Sequence, residues 1–447
     1  MSGTGLQFEG ARVLVVGMAR SGLAALQLLA AKGARLSATD TREAAELPGL
    51  AETGVPFAVQ SPEVFRDADI IVISPGVPCD LEPLEQARRR GAAVIGEVEL
   101  ASFFLEGPIL GITGANGKTT TTALAGHILR ECGIAAQVGG NIGTPPASMV
   151  ATSRPDQWNV LELSSFQLET IDRFRARIGA CLNVTPDHLD RHHTFEIYAS
   201  AKRRLFETQQ AGDTAILNAD DATSASYASS TKAEVRWFSS SQRVEHGAWI
   251  DGGRLLFDGE VLMEASEVPL RGRHNLENVM AASLAATLAG APLGRVAGAV
   301  RSFPGVEHRL EFVRSVSGVD FYNDSKATNV DATLKALDAF ERGLWVILGG
   351  KDKGSDYAPL IEPLRAKARA ALLVGAAAEK IANHLGACVP QVHSGTIEAA
   401  IREAYARAAS GDTILLAPAC ASFDQFTSYE HRGRVFKELV YKLVPKG

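Results

Sequence analysis

Residues 108–122 read PILGITGANGKTTTT, and this stretch decides how the middle of the chain folds. The apolar run Ile109–Thr113 has the length and composition of a buried strand. Gly114 and Gly117 then let the backbone turn so that its N–H groups face an anion. Lys118 offers a point charge to the β- and γ-phosphates, and the Thr119 hydroxyl suits Mg²⁺. A helix is expected over 120–132, with the positive end of its dipole aimed at the same anion. The spacing departs from the full G-x-x-x-x-G-K-[ST] pattern, because Ile112 stands where the first glycine belongs. Strand, glycine-bounded loop and helix in that order still predict an ATP or GTP site.

The same alternation extends in both directions. Upstream, strands are expected at 12–16, 35–39 and 70–74, with helices at 21–32 and 84–90. Such alternation implies a parallel sheet wrapped by helices. Gly107-Pro108 marks a break before the loop's own strand. Downstream, strands at 160–163 and 180–184 and helices near 195–209 and 276–288 continue the middle segment. Between them, 214–270 holds short strand-like runs punctuated by Asp251-Gly252-Gly253 and Asp258-Gly259, which predicts a small antiparallel addition to the main sheet. After Phe303-Pro304-Gly305, strands at 344–348, 371–374 and 413–417 alternate with Ala-rich helical stretches such as 396–409. The fold class is therefore α/β in three domains: an N-terminal Rossmann-like parallel sheet (1–106), a central P-loop ATPase-type α/β domain (107–304) and a C-terminal doubly wound Rossmann-like domain (305–447).

Bulk composition fits this organisation. A chain of 447 residues suggests three domains at roughly 150 residues each. Lys+Arg 45 against Asp+Glu 51 leaves a net charge of −6 and no basic block, which argues against nucleic acid and anionic membranes. No signal pattern opens the sequence, and no apolar run approaches the ~18 residues of a membrane span, so a cytoplasmic protein without membrane insertion is expected. Five scattered cysteines without a C-x-x-C read as reduced thiols.

Several clusters carry chemistry. Gly17 to Gly22 follows the first strand and opens a helix, with Asp40 at the end of the second strand. The central glycine of a dinucleotide fingerprint is missing, so a nucleotide-diphosphate site fits better than NAD, and a ligand-free tight turn is the alternative. Glu162 lies inside the apolar run 159–165, where an unpaired carboxylate is costly; with a phosphate loop upstream it suits Mg²⁺. In 183–191, His188 stands between Asp187 and Asp190 at a strand end and reads as a ligand or substrate contact, whereas His192 and His193 read as solvated. Arg309, in Gly305-Val-Glu-His-Arg309, is placed to neutralise charge developing in phosphoryl transfer. Lys326 and Lys353 are candidate anion clamps, and Ser422 after the strand 413–417 could face a carboxylate. Cys420 has no adjacent base and reads as packing.

Taken together these residues resemble the Mur ligases over essentially the whole length. TGANGKTT (113–120), Glu162 and 183–191 carry the resemblance to the family at large. Asp40-Thr41-Arg42, LELSSFQLE (161–169), 323–329 and ACASFDQF (419–426) resemble the members that add D-glutamate. The resemblance implies ATP-driven amide formation on UDP-N-acetylmuramoyl-L-alanine through an acyl phosphate, with D-glutamate as the second substrate, by a monomer. It implies that Asp40, Thr41 and Arg42 hold the uracil, and that Arg20, Ser21, Gly76 and Asn141 meet the UDP-sugar. Ala115, Asn116, Gly117, Lys118, Thr119, Thr120 and Thr121 would cradle ATP, completed by Asn278, Arg309 and Asp324. Thr119, Glu162, His188 and a carbamylated Lys202 would arrange two Mg²⁺ ions, and Lys118, His188, Lys202, Arg309 and Lys326 would serve catalysis. Thr328, Lys353, Ser422, Phe423 and Tyr429 would hold D-glutamate, with Phe423 and Tyr429 standing where other members carry leucine and phenylalanine. A Mur ligase for another amino acid, a folylpolyglutamate synthase, an L-glutamate-accepting enzyme, a regulatory nucleotide-binding module and an NAD-dependent oxidoreductase are the alternatives.

Overall fold

The computed structural model describes residues 6–446. Five short strands, β1 (Arg12–Val16), β2 (Arg35–Asp40), β3 (Phe57–Val59), β4 (Ile70–Ile73) and β5 (Ala93–Gly96), form the first sheet. Their order is β3-β2-β1-β4-β5, and every neighbouring pair is parallel. β4 is IIVI and wholly buried, as expected where helices cover both faces of a parallel sheet. Helix Arg20–Ala31 turns Ala25, Leu26 and Leu29 into that core.

The second sheet contains β6 (Ile109–Thr113), β7 (Ala136–Gly140), β8 (Trp158–Glu162), β9 (Ile178–Cys181), β10 (Thr214–Asn218), β11 (Glu234–Ser239), β12 (Gly247–Asp251), β13 (Arg254–Phe257) and β14 (Glu260–Glu264). They lie in the order β14-β13-β12-β11-β10-β9-β6-β8-β7. The antiparallel addition expected over 214–270 is smaller than the sequence reading. β10, β11 and β12 continue the sheet in parallel, and the antiparallel pairs are β12 with β13 and β13 with β14. The reason is local: Asp251-Gly252-Gly253 and Asp258-Gly259 make tight hairpin turns, with Gly252, Gly253, Asp258 and Gly259 all at positive φ, whereas the connections before β12 are longer.

The third sheet is built from β15 (Glu311–Val316), β16 (Val319–Asn323), β17 (Leu344–Gly349), β18 (Ala368–Val374), β19 (Gln391–Gly395) and β20 (Thr413–Leu416). Its order is β15-β16-β20-β17-β18-β19, parallel except for the β15–β16 hairpin. Helices on its two faces close two separate apolar clusters, one around Leu337, Leu348 and Leu373 and one around Phe321, Ile347 and Phe436.

The first two sheets belong to one compact unit, which also takes in His274–Phe303; the third sheet, with Pro269–Arg273, forms another. Two glutamates of helix Glu97–Ser102 join the first sheet to the second. Glu99, buried, accepts backbone N–H bonds from Asp172 (2.9 Å), Arg173 (2.8 Å) and Phe174 (2.9 Å). Glu97 accepts one from Ala147 at 2.6 Å. A carboxylate that satisfies three backbone donors fixes the chain segment that carries them.

Candidate active site

β6 sits between β8 and β9, so the loop after Thr113 opens among three parallel strand ends. Helix Lys118–Glu131 begins two residues earlier than the sequence reading, which brings Lys118 and Thr119 into its first turn. Gly117 precedes it at φ +85, and a Cβ there would stand 2.2 Å from Asn278 Oδ1, so only glycine fits. Asn183, just past β9, pins the loop from below. Its carbonyl accepts the Ala115 N–H at 2.8 Å, its Oδ1 accepts the Asn116 N–H at 2.8 Å, and its amide donates to the Asn116 carbonyl at 3.2 Å. Asn278 closes the other flank, with its Oδ1 3.3 Å from the Thr121 hydroxyl and its amide donating to Asn275 Oδ1 at 2.9 Å.

Two ammonium groups meet on one loop carbonyl. Lys118 Nζ donates to Gly114 O and Ala115 O, both at 2.9 Å, and Lys202 Nζ donates to Gly114 O at 2.8 Å. Lys202 projects from helix Phe195–Glu207, is fully buried, and lies 4.6 Å from the centre of the Tyr198 ring. Burial, then the neighbouring charge of Lys118, pulls its amine down to about 7. Glu162, at the end of β8, is buried as well. Its Oε1 accepts from the Asn141 amide at 2.9 Å, while Oε2 has no hydrogen-bond partner among the described residues. A dry, half-satisfied carboxylate is costly unless something positive completes it. Mg²⁺ takes oxygen ligands and keeps much of its shell for water and phosphate, so Glu162 and the buried Thr119 hydroxyl fit such an ion.

The loop after β9 corrects one expectation. His192 is not solvated: it is 1% exposed, its Nε2 is 2.9 Å from Ser165 Oγ and its Nδ1 is 3.0 Å from Glu169 Oε1. Burial lowers its pKa from the usual histidine value. The cause lies in helix Leu189–His192, whose short turn folds His192 back under Phe166 and Tyr198. His193 is exposed. His188 occupies a left-handed position at φ +53, half exposed, with its ring 4.9 Å from that of Phe166 and its Nε2 3.6 Å from Asp187. The side chain of Asp190 lies outside the described residues. Arg191 ties this loop to the first sheet, donating to Val77 O at 3.0 Å and Glu169 Oε2 at 3.1 Å.

In the first sheet, strand order reverses direction between β1 and β4, and the crevice outside their carboxyl ends is where open parallel sheets take ligands. Gly17, at φ +88, turns the chain after β1, and its carbonyl accepts the Ser74 hydroxyl at 2.7 Å. Asp40 Oδ2 accepts the Met18 N–H at 2.7 Å, and Arg42 grips both carboxylate oxygens at 3.0 Å. The Arg42 bonds hold Asp40 well below the usual carboxylate range. Arg20, Thr41 and Gly76 stand exposed and Ser21 half-buried around this turn.

The second unit gathers its own candidates at the carboxyl ends of β16, β17 and β20. Asp324 is buried and accepts the Leu310 N–H at 3.2 Å. Burial pushes it up to about 6, against the opposing charge of Arg309. Ser422 is buried; Phe423 is 66% exposed, Lys353 exposed, and Tyr429 half-buried with its carbonyl accepting the Ser325 hydroxyl at 2.8 Å. Lys326 and Thr328 follow in the same loop, their N–H groups bonded to His308 O and Lys326 O. Cys420 is buried, 3.0 Å from the Tyr357 hydroxyl, and burial raises its thiol, which suits packing.

Sequence reasoning passed over Asn183's clamp, His308 and Arg432. His308 is buried against Asn323, 2.9 Å away. Arg432 is 2% exposed and donates to Ser325 Oγ, Ser325 O and Cys420 O at 2.9, 2.7 and 3.1 Å, binding the 323–329 and 419–426 loops together. Its signal was available as an arginine in step with Phe436 and Val440, on the buried face of helix Tyr429–Tyr441.

Three family models match successive parts of the chain. Residues 11–96 match the N-terminal domain of MurD-like Mur ligases, 112–286 the Mur ligase middle domain, and 308–420 the Mur ligase glutamate ligase domain. A UDP-N-acetylmuramoylalanine–D-glutamate ligase of Solibacter usitatus is 64% identical over 441 residues, spanning 99% of this chain and 100% of its own. One from Koribacter versatilis is 50% identical over 448 residues, spanning 98% and 99%. The crystal structure of the UDP-N-acetylmuramate–alanine ligase MurC of Thermotoga maritima shares the fold, with a TM-score of 0.62 at 16% identity over 96% of this chain and 99% of that one.

Proposed function

The chain belongs to the Mur ligase family, and we propose that it joins D-glutamate to UDP-N-acetylmuramoyl-L-alanine at the expense of ATP, a step in peptidoglycan precursor synthesis. The observation that carries the chemistry is the Lys118 ammonium held on the glycine-bounded loop, with the buried, half-satisfied carboxylate of Glu162 at the end of the adjacent strand β8. The full-length similarity to D-glutamate ligases supports the choice of substrates. No helix among the described residues is long and apolar enough to cross a membrane. ATP as co-substrate and five unpaired cysteines fit a cytoplasmic enzyme, which we take to act as a monomer in three functional domains, 1–106, 107–304 and 305–447.

The reaction must bring a carboxylate against a polyanion. Lys118 and the backbone N–H groups of the loop take up charge on the β- and γ-phosphates, which lets the L-alanyl carboxylate approach. A carboxylate oxygen then bonds to the γ-phosphorus as the bond to the β-bridging oxygen breaks, giving an acyl phosphate and ADP. Arg309 on the second unit is assigned to the charge that builds on the transferred group, and Asn278 and Asp324 to the rest of the nucleotide. The amine of D-glutamate, held by Thr328, Lys353, Ser422, Phe423 and Tyr429, attacks the acyl carbon, with Lys326 offsetting charge on the tetrahedral oxygen. Collapse expels phosphate and leaves the amide. Asp40, Thr41 and Arg42 take the uracil, and Arg20, Ser21, Gly76 and Asn141 the rest of the sugar nucleotide.

Mg²⁺ bound here supplies charge neutralisation for the phosphates. Thr119, Glu162 and His188 are the residues proposed to hold two such ions, with Lys202 as a carbamate. The buried amine of Lys202 is well suited to that modification, because burial and the neighbouring charge of Lys118 lower its pKa and favour the neutral form. The neutral amine adds to CO₂ and releases one proton.

The acyl phosphate makes a distinct demand on the oxygen atoms. With substrate labelled by ¹⁸O in the alanyl carboxylate, each phosphate released is expected to carry one labelled oxygen, and the nucleotide product to be ADP. Unlabelled phosphate accompanying amide formation would show that the carboxylate was not phosphorylated.

A further inference from the structure

Glu97 has no part in the reaction described above, yet its setting is unusual. It opens helix Glu97–Ser102 at the end of β5 and is 1% exposed. Oε1 accepts the Ala147 N–H at 2.6 Å; Oε2 is buried and has no hydrogen-bond partner among the described residues. Glu97 lines a cavity of about 10 Å³, shared with Ser74, Pro75, Val77, Phe166, Gln167 and Thr170. That volume suits about one water molecule, and a held water needs two to four polar partners. Ser74, Gln167 and Thr170 can add theirs to Glu97's.

The cavity lies under loop 74–77, and its wall leads to the substrate crevice. The Ser74 hydroxyl donates to the Gly17 carbonyl at 2.7 Å, so whatever fixes Ser74 also fixes the glycine turn after β1. On the opposite side, Phe166 packs against His188 and Arg191, and Arg191 donates to Val77 O at 3.0 Å. We propose that Glu97 is a positioning residue for the sugar-nucleotide site, acting as a neutral carboxylic acid that holds one water beneath loop 74–77. This rests on the assignment of that crevice to the UDP-sugar.

The charges around Glu97 agree with a neutral group. Loop 74–77, helix Pro146–Met149 and helix Ser165–Leu168 bring no titratable side chain. Helix Arg20–Ala31 brings Arg20, which is exposed. Glu99 on its own helix is occupied by three N–H groups, and Glu169 beyond helix Ser165–Leu168 is paired with Arg191 and His192. Burial without a cationic partner raises Glu97 to about 7. Above that value a buried negative charge appears behind a crevice meant for a diphosphate, and the water loses its donor from the carboxyl.

The test is steady-state kinetics of the full chain from pH 6 to 9, with wild type and Glu97→Gln compared, varying the UDP-sugar at saturating ATP and D-glutamate. Wild-type KM for the UDP-sugar is expected to rise by roughly three- to tenfold above pH 7. In Glu97→Gln, which stays neutral, KM should remain flat near the wild-type value at pH 6.5, with kcat following the same pH curve as wild type. A flat wild-type KM, or a rise of the same size in Glu97→Gln, overturns the proposal while leaving the substrate assignment intact. A wild-type protein that forms no product from the UDP-sugar at any pH overturns both.

Discussion

Lys118→Ala is expected to abolish product formation, with kcat/KM falling by at least about 10³-fold, or ~4 kcal/mol of transition-state stabilisation. The ammonium is held by the Gly114 and Ala115 carbonyls at 2.9 Å, a pose that presents it to an anion arriving over the loop. Alanine keeps the helix, Lys118 itself is half-buried, and Lys202 still donates to the Gly114 carbonyl, so folding should survive. Lys118→Arg should not rescue, because a planar guanidinium cannot replace a compact point charge in a loop this tight. The measurement is ADP release and amide formation in the same reaction, alongside thermal unfolding. Near-wild-type turnover in a folded Lys118→Ala protein would remove the loop from the mechanism.

Glu162→Gln should be nearly as damaging, by a different route. Glutamine preserves shape and can still accept the Asn141 amide through its oxygen, which spares the β8 end. It removes the charge from the buried oxygen that has no partner among the described residues. The expected result is a drop in kcat of roughly 10²- to 10³-fold together with a higher Mg²⁺ concentration for half-maximal rate. Titrating Mg²⁺ against initial rate in both proteins decides the matter: an unchanged Mg²⁺ dependence would mean that Glu162 does not serve the ion.

How much of this was legible in the sequence depended on whether the signal was local. The phosphate loop was, because strand, glycine turn, lysine and helix are contiguous and each residue type has one physical job. The strands at 12–16, 344–348 and 413–417 were also plain, since buried parallel strands are short apolar runs between turn residues. Glu162 stood out because a carboxylate in such a run needs an explanation. What stayed hidden was set by tertiary contact. His192 looks like the second member of a polar loop, and only the fold of helix Leu189–His192 puts it under Phe166. Glu97 and Glu99 look like acids in the first turn of a helix, a place where acids are ordinary. Their partners come from helix Pro146–Met149 and the connection before β9, whose N–H groups lie 50 and 73 to 75 residues away in sequence. The parallel course of β11 and β12 was hidden for a related reason, because strand direction depends on a partner that a single segment does not name.

The most direct test is amino-acid-dependent phosphate release. The protein is incubated with ATP, Mg²⁺ and UDP-N-acetylmuramoyl-L-alanine, and D-glutamate, L-glutamate and L-lysine are compared as acceptors. Release stoichiometric with amide formation is predicted for D-glutamate and not for the other two. Equal release without any amino acid, or a preference for L-lysine or L-glutamate, would contradict the assignment.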